Sequence, residues 1–151
     1  RRYYDLLPVY SLAAACGAFG AGDEVREEGW LDVGQGRPLR QGMFVARVTG
    51  RSMEPVIPDG SWCMFRAPVE GSRQGKTVLV QHHAITDPEF GGRFTVKRYR
   101  SEKQSLGAGA DEWRHTKVML EPINREFEPM VFEDPVVAEG LNVIAEFVGS
   151  V

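Results

Sequence analysis

Cysteine is scarce in this chain: Cys16 and Cys63 are the only two in 151 residues. Neither lies in a Cys-x-x-Cys or Cys/His spacing that would hold zinc. Two are too few for a disulfide framework, so a reducing, cytoplasmic setting is expected. The pattern calls for no metal and no cofactor. Basic residues are not in excess either, since 18 Lys and Arg stand against 21 Asp and Glu, for a net charge of -3. Modules that grip nucleic-acid phosphates carry the opposite balance, so direct nucleic-acid binding is not expected. Long apolar runs are missing too. No stretch approaches the ~20 apolar residues of a membrane span. The segment from Leu6 to Ala21 is broken by Pro8, Ser11, Gly17 and Gly20 and lacks the apolar density of a signal peptide. No membrane partner is expected. The chain begins at Arg1 rather than Met, and is expected to be a piece or a processed form of something longer.

What is present is enough apolar residue, 42%, for the core of one ordinary domain. Helical periodicity is weak. Short apolar runs alternate with Gly, Pro and Asp, and they predict strands at Met43 to Thr49, Ser61 to Arg66, Lys76 to His82 and Gly92 to Tyr99. Val118 to Ile123, Met130 to Glu133 and Leu141 to Val148 supply three more. Seven short strands separated by turns read as a mainly β domain partly closed on itself, over residues 37–151. Residues 1–36, Ala- and Gly-rich and then acidic, read as an extended N-terminal arm with a first strand at Trp30 to Val33. Residues 101–112, "SEKQSLGAGADE", read as a polar loop.

The stretch "VTGRSMEPVIPDG" sets Ser52 in a Gly- and Pro-rich bend. Such a serine is commonly a hydrogen-bonding turn residue. To attack a substrate it needs a base to take its proton. None of His82, His83 and His115 has a context that favours it, and there is no Gly-x-Ser-x-Gly elbow. Lysine can serve only when its pKa falls. At the ordinary value of about 10.4, roughly one lysine in a few thousand is neutral at pH 7. A base lysine should therefore sit on a strand among apolar neighbours and away from carboxylates. Lys97, in "FTVKRY", meets the local part of that requirement, with no acid between Arg93 and Ser101. A strand lysine commonly faces solvent, so neither residue stands out alone.

Together they do. "GRSMEPVIPDGSWCMFR" followed by "FTVKRYR" resembles the S24 peptidases, the family of LexA, UmuD and the phage repressors. Gly50, Ser52, Met53, Pro55, Asp59 and Gly60 match one block, and Thr95, Val96, Lys97 and Arg98 a second. In "LEPINREFEPM", Leu120, Pro122, Asn124, Phe127 and Pro129 match a third. The resemblance implies a LexA- or signal-peptidase-like β fold, Ser52 as nucleophile and Lys97 as general base. The amides of Ser52 and a neighbour, Arg51, would form the oxyanion hole, with Met53 and Val96 keeping water from the lysine. It also implies that the chain cuts its own arm. Cys16-Gly17 in "AAACGAFG" resembles the family's scissile bond, and Gly17 lies 35 positions before Ser52.

The same resemblance implies a homodimer formed through the C-terminal β region (Leu141 to Val148), and an activating protein such as a RecA-like filament. Ser52 and Lys97 are 45 positions apart, longer than usual for the family, and "HHAITDPEFGG" carries the excess as a hairpin extension. The competing reading is a catalytically silent interaction module of a larger protein. Signal peptidase shares the chemistry but needs a membrane anchor.

Overall fold

The computed structural model describes residues 1–105 and 114–151. Its strands, in chain order, are β1 (Leu6–Val9), β2 (Gly29–Asp32), β3 (Met43–Val48), β4 (Ser61–Arg66), β5 (Thr77–Gln81), β6 (Phe94–Ser105), β7 (Arg114–Glu121), β8 (Met130–Phe132) and β9 (Asn142–Ser150). They form one sheet in the order β2-β1-β3-β4-β9-β5-β6-β7-β8. The chain is mainly β, as its short apolar runs imply, but the sheet stays open, with β2 and β8 at its edges. Register shifts in β9's pairing, at Met64/Phe65 and at Leu79/Val80, are irregularities of the kind that bends a sheet.

The period of two explains how one sheet buries so much. In β3, Phe44, Ala46 and Val48 join one apolar cluster with Phe65, Leu79, Phe94, Val96 and Ile144, while Met43 and Val45 join another with Leu7, Val33 and Met64. Successive side chains leave a strand on opposite faces, so a strand covered on both sides reads as a continuous apolar run. A third cluster holds Val78, Val80, Ile85, Val118, Leu120, Ala138 and Leu141. Ala138 belongs to the short helix α2 (Pro135–Gly140), capped by the Asp134 side chain and started by Pro135.

Residues 1–36 are folded into the sheet rather than extended. β1 pairs along its length with β2 and is in register with β3 only at Val9↔Val45, which leaves room for Pro8 inside a strand. Next come helix α1 (Leu12–Ala15), capped by Ser11, and a π-helical turn over Cys16–Ala21. Sequence reading missed β1 and both helices because each is too short to show a period. The strand forecast at Trp30 to Val33 is β2, one residue earlier. Of the expected loop at 101–112, residues 101–105 continue β6, and 106–112 lie outside the described residues. Among the described residues no helix is long and apolar enough to cross a membrane.

The arm is locked by aromatic rings. Phe19 stacks on Phe44 at 4.8 Å between centroids, and Phe44 on Phe65 at 5.4 Å. Phe44 is fully buried at the centre of this column. Phe44→Ala should therefore cost about 3–5 kcal/mol of unfolding free energy, read from urea titration.

Candidate active site

Ser52 lies in the turn between β3 and β4. Gly50, two residues before it, has φ +98°, a conformation that favours glycine. The Gly50 amide donates to Asp59 Oδ1 (2.7 Å), tying the two ends of the bend. The third sequence block closes it from the other side. Asn124 N donates to the Ser52 carbonyl (2.9 Å), and Asn124 Nδ2 to the Arg51 carbonyl (3.1 Å). Asn124 is thus a support for Ser52 that sequence matching names without a role.

Lys97 lies in β6, directly opposite Val78 of β5, with Thr95 opposite Val80. These apolar neighbours and the surrounding core leave Lys97 2% and Ser52 3% exposed. Lys97 Nζ donates to Ser52 Oγ at 2.9 Å. It also donates to Asp87 Oδ2 (3.1 Å), Thr95 Oγ1 (2.9 Å) and the Val96 carbonyl (3.3 Å). The Phe90 ring lies 5.3 Å away. Burial holds the amine below its ordinary pKa, while Asp87 and, more weakly, Glu89 push it back up.

Asp87 is the departure from sequence expectation. Lys97 has no acid near it along β6, yet Asp87, ten residues earlier, reaches it through the connection between β5 and β6. Asp87 is 5% exposed and accepts from both Lys97 and the Thr95 hydroxyl (2.7 Å). The signal was present in the acidic residues of the lengthened hairpin, but nothing along the chain tells which of them folds inward.

The remaining site residues divide. Met53 and Val96 are buried in the cluster beneath Ser52. The Arg51 guanidinium points away to Glu54 (3.0 Å) and Glu126 (3.4 Å). Its amide does not stand open: it donates to Glu89 Oε2 at 2.7 Å. Cys16 and Gly17 are in the π-helical turn, and Cys16 is buried in the same cluster as Met53. No hydrogen bond joins either to Ser52 or Lys97 among the described residues. Burial pushes the Cys16 thiol up to about 12 and the Cys63 thiol up to about 11, so neither is a ready nucleophile. No group of three or more His, Cys, Asp or Glu side chains converges as metal ligands would, among the described residues.

A hydroxyl bonded to a desolvated amine, at the rim of a Gly-led bend, is an arrangement across which a proton can pass. Residues 8–148 match the family model of the S24-like peptidases. The chain belongs to the S24 peptidase family. Comparison with curated proteins gives no match. The S24 match spans all three blocks and the connection between β5 and β6, so Asp87 lies inside the family domain.

In this S24 domain the Asn124 carboxamide holds a carbonyl next to Ser52 from a separate segment. Asn124→Ala removes that side-chain bond and the one Asn124 Oδ1 accepts from the Glu126 amide, and keeps the backbone one. It should lower stability by about 0.5–1.5 kcal/mol, measured by urea unfolding.

Proposed function

We propose that this domain is a serine endopeptidase in which Ser52 is the nucleophile and Lys97 the general base, and that it cuts its own chain at Cys16-Gly17. The carrying observation is the 2.9 Å contact between Lys97 Nζ and Ser52 Oγ inside a buried, apolar setting. An ammonium has three N–H donors and no lone pair. The neutral amine keeps two N–H groups, which Asp87 and Thr95 accept, and turns its lone pair to the Ser52 hydroxyl.

The chemistry then balances. Ser52 Oγ attacks the peptide carbonyl carbon as its proton passes to Lys97 Nζ, and the carbonyl oxygen becomes the oxyanion. Backbone amides at Arg51 and Ser52 stabilise it, donors of this kind contributing ~2.7–4 kcal/mol each. The C–N bond breaks as Lys97 returns the proton to the leaving amine, which is Gly17 N in self-cleavage. Water, with Lys97 again as base, hydrolyses the ester and frees Ser52.

Self-cleavage requires the arm to leave its helical turn, because a protease takes its substrate extended and Cys16 is 1% exposed. The packed arm is therefore a resting state, and a trigger that loosens it would license scission. The same packing favours the second reading, a silent interaction module. Pairing of two copies through Leu141–Val148 would use side chains rather than backbone, since β9 is flanked by β4 and β5.

Ser52→Ala and Lys97→Ala should each slow scission by at least ~10³-fold, followed by intact mass over time. Cleavage of Ser52→Ala at the wild-type rate at Cys16-Gly17 would mean that another agent cuts the arm. The rate should climb with pH as Lys97 loses its proton. Asp87 raises the Lys97 pKa, so Asp87→Asn should move this climb to lower pH and lower its plateau, because the amine loses an anchor. A pH–rate series on both proteins reads the two effects separately.

A further inference from the structure

The connection between β5 and β6 carries a second acid whose position the dyad alone does not explain. Glu89 Oε2 accepts the Arg51 amide at 2.7 Å, and Oε1 is buried with no hydrogen-bond partner among the described residues. Leaving a carboxylate oxygen buried and unpaired is costly, so surrounding contacts must hold it there. Those contacts are visible. Thr49 Oγ1 donates to the Glu89 carbonyl (3.4 Å), and the Glu89 amide donates to Asp87 Oδ1 (3.0 Å). Gly50 makes the space: a Cβ added there would meet Glu89 Cδ and Oε2 at 2.6 Å.

We propose that Glu89 is a built-in occupant of the oxyanion-binding donor at Arg51, holding the site latent until a substrate carbonyl oxygen displaces it. This rests on the Ser52–Lys97 reading above. An oxyanion needs donors about 2.7–3.1 Å away, and a carboxylate oxygen already occupies that position at the Arg51 amide. The two oxygens compete for one N–H. Among the described residues the Ser52 amide has no hydrogen-bond partner in the protein, so the hole is half filled rather than absent.

The occupancy is also coupled to the base. One carboxylate, Asp87, receives the Glu89 amide on Oδ1 and Lys97 on Oδ2. Movement of Glu89 away from Arg51 thus pulls on the carboxylate that favours the charged form of Lys97. The ionisable groups around this corner are Asp87 and Glu89 from the β5–β6 connection, Asp59 at the Gly50 amide, and Arg51 with its partners Glu54 and Glu126. A shift of Glu89 alone removes one negative charge that favours the Lys97 ammonium and opens the donor at the same time, while Asp87 stays as the anchor of the amine. Substrate entry and base activation become one event.

The test uses a fluorophosphonate probe on the intact chain. Ser52 Oγ forms a bond to phosphorus, the P–F bond breaks, fluoride leaves, and the hydroxyl proton goes to Lys97. The phosphoryl oxygen draws on the same donors as a peptide oxyanion. Intact mass gives the labelling rate of wild type, Glu89→Gln and Glu89→Ala, with Ser52→Ala as the unlabelled control. Glu89→Ala should label roughly 10-fold faster or more than wild type, with Glu89→Gln between them, because a neutral amide oxygen is a weaker competitor. The Gln side chain keeps the volume of Glu and serves if the Ala variant does not fold.

Equal or slower labelling of Ser52 in the variants overturns the proposal. If Ser52 labels in none of the proteins, the Ser-Lys reading fails by itself. The Arg51 amide proton then decides the occupancy. Its NMR resonance should move upfield in Glu89→Gln when the bond to a charged oxygen is lost, and an unmoved resonance overturns it.

Discussion

A lysine amine with 2% exposure is the constraint that organises this molecule. Taking an ammonium out of water costs several kcal/mol even after relaxation. The fold answers with four oxygens within 3.3 Å, supplied by Ser52, Asp87, Thr95 and the Val96 carbonyl. Two of these come from the strand that carries Lys97. The other two come from separate loops, and both must be in place for the amine to be tolerated. Burial pulls its pKa down, and the acid pulls it back up.

Those loops are tied to each other as well as to the lysine. The bend that carries Ser52 is held by Asp59 within itself, by Asn124 from beyond β7, and by Glu89 from the β5–β6 connection. Few of these contacts are close in sequence. The domain belongs to the S24 family across nearly its whole length, and the β5–β6 connection lies inside that match. That connection supplies the acid on the amine and the acid on the Arg51 amide. A connection that looks like a spare surface loop along the chain is, in three dimensions, the wall of the site.

The arm is the other structural surprise. Its residues Leu12, Ala15, Cys16 and Phe19 share a cluster with Met53 and Val96, the neighbours of Ser52 and Lys97 in sequence. Packing of this kind makes the N-terminal segment part of the domain's stability. To serve as the proposed substrate, a segment so placed must first give up its core contacts. The proposed scissile bond and the proposed dyad are thereby coupled through one apolar cluster rather than through a direct contact.

Most of the β framework was legible along the chain, because β3, β4, β5 and β9 announce themselves as apolar runs bounded by Gly, Pro and Asp. Ser52, Lys97 and Asn124 could be picked out as well, since each sits in a compact block of fixed spacing. Local physics went no further. β1 hides behind Pro8, and α1 and α2 are too short for periodicity to register. The amino-acid sequence by itself determined most of the strands, the bend at Gly50, and the hydroxyl of Ser52 and the amine of Lys97 as the candidate pair. Only the tertiary structure decided that Asp87 and Glu89 turn inward and that the arm folds onto the core. Those outcomes depend on which distant groups compete for a few buried donors, and a linear pattern does not carry that information.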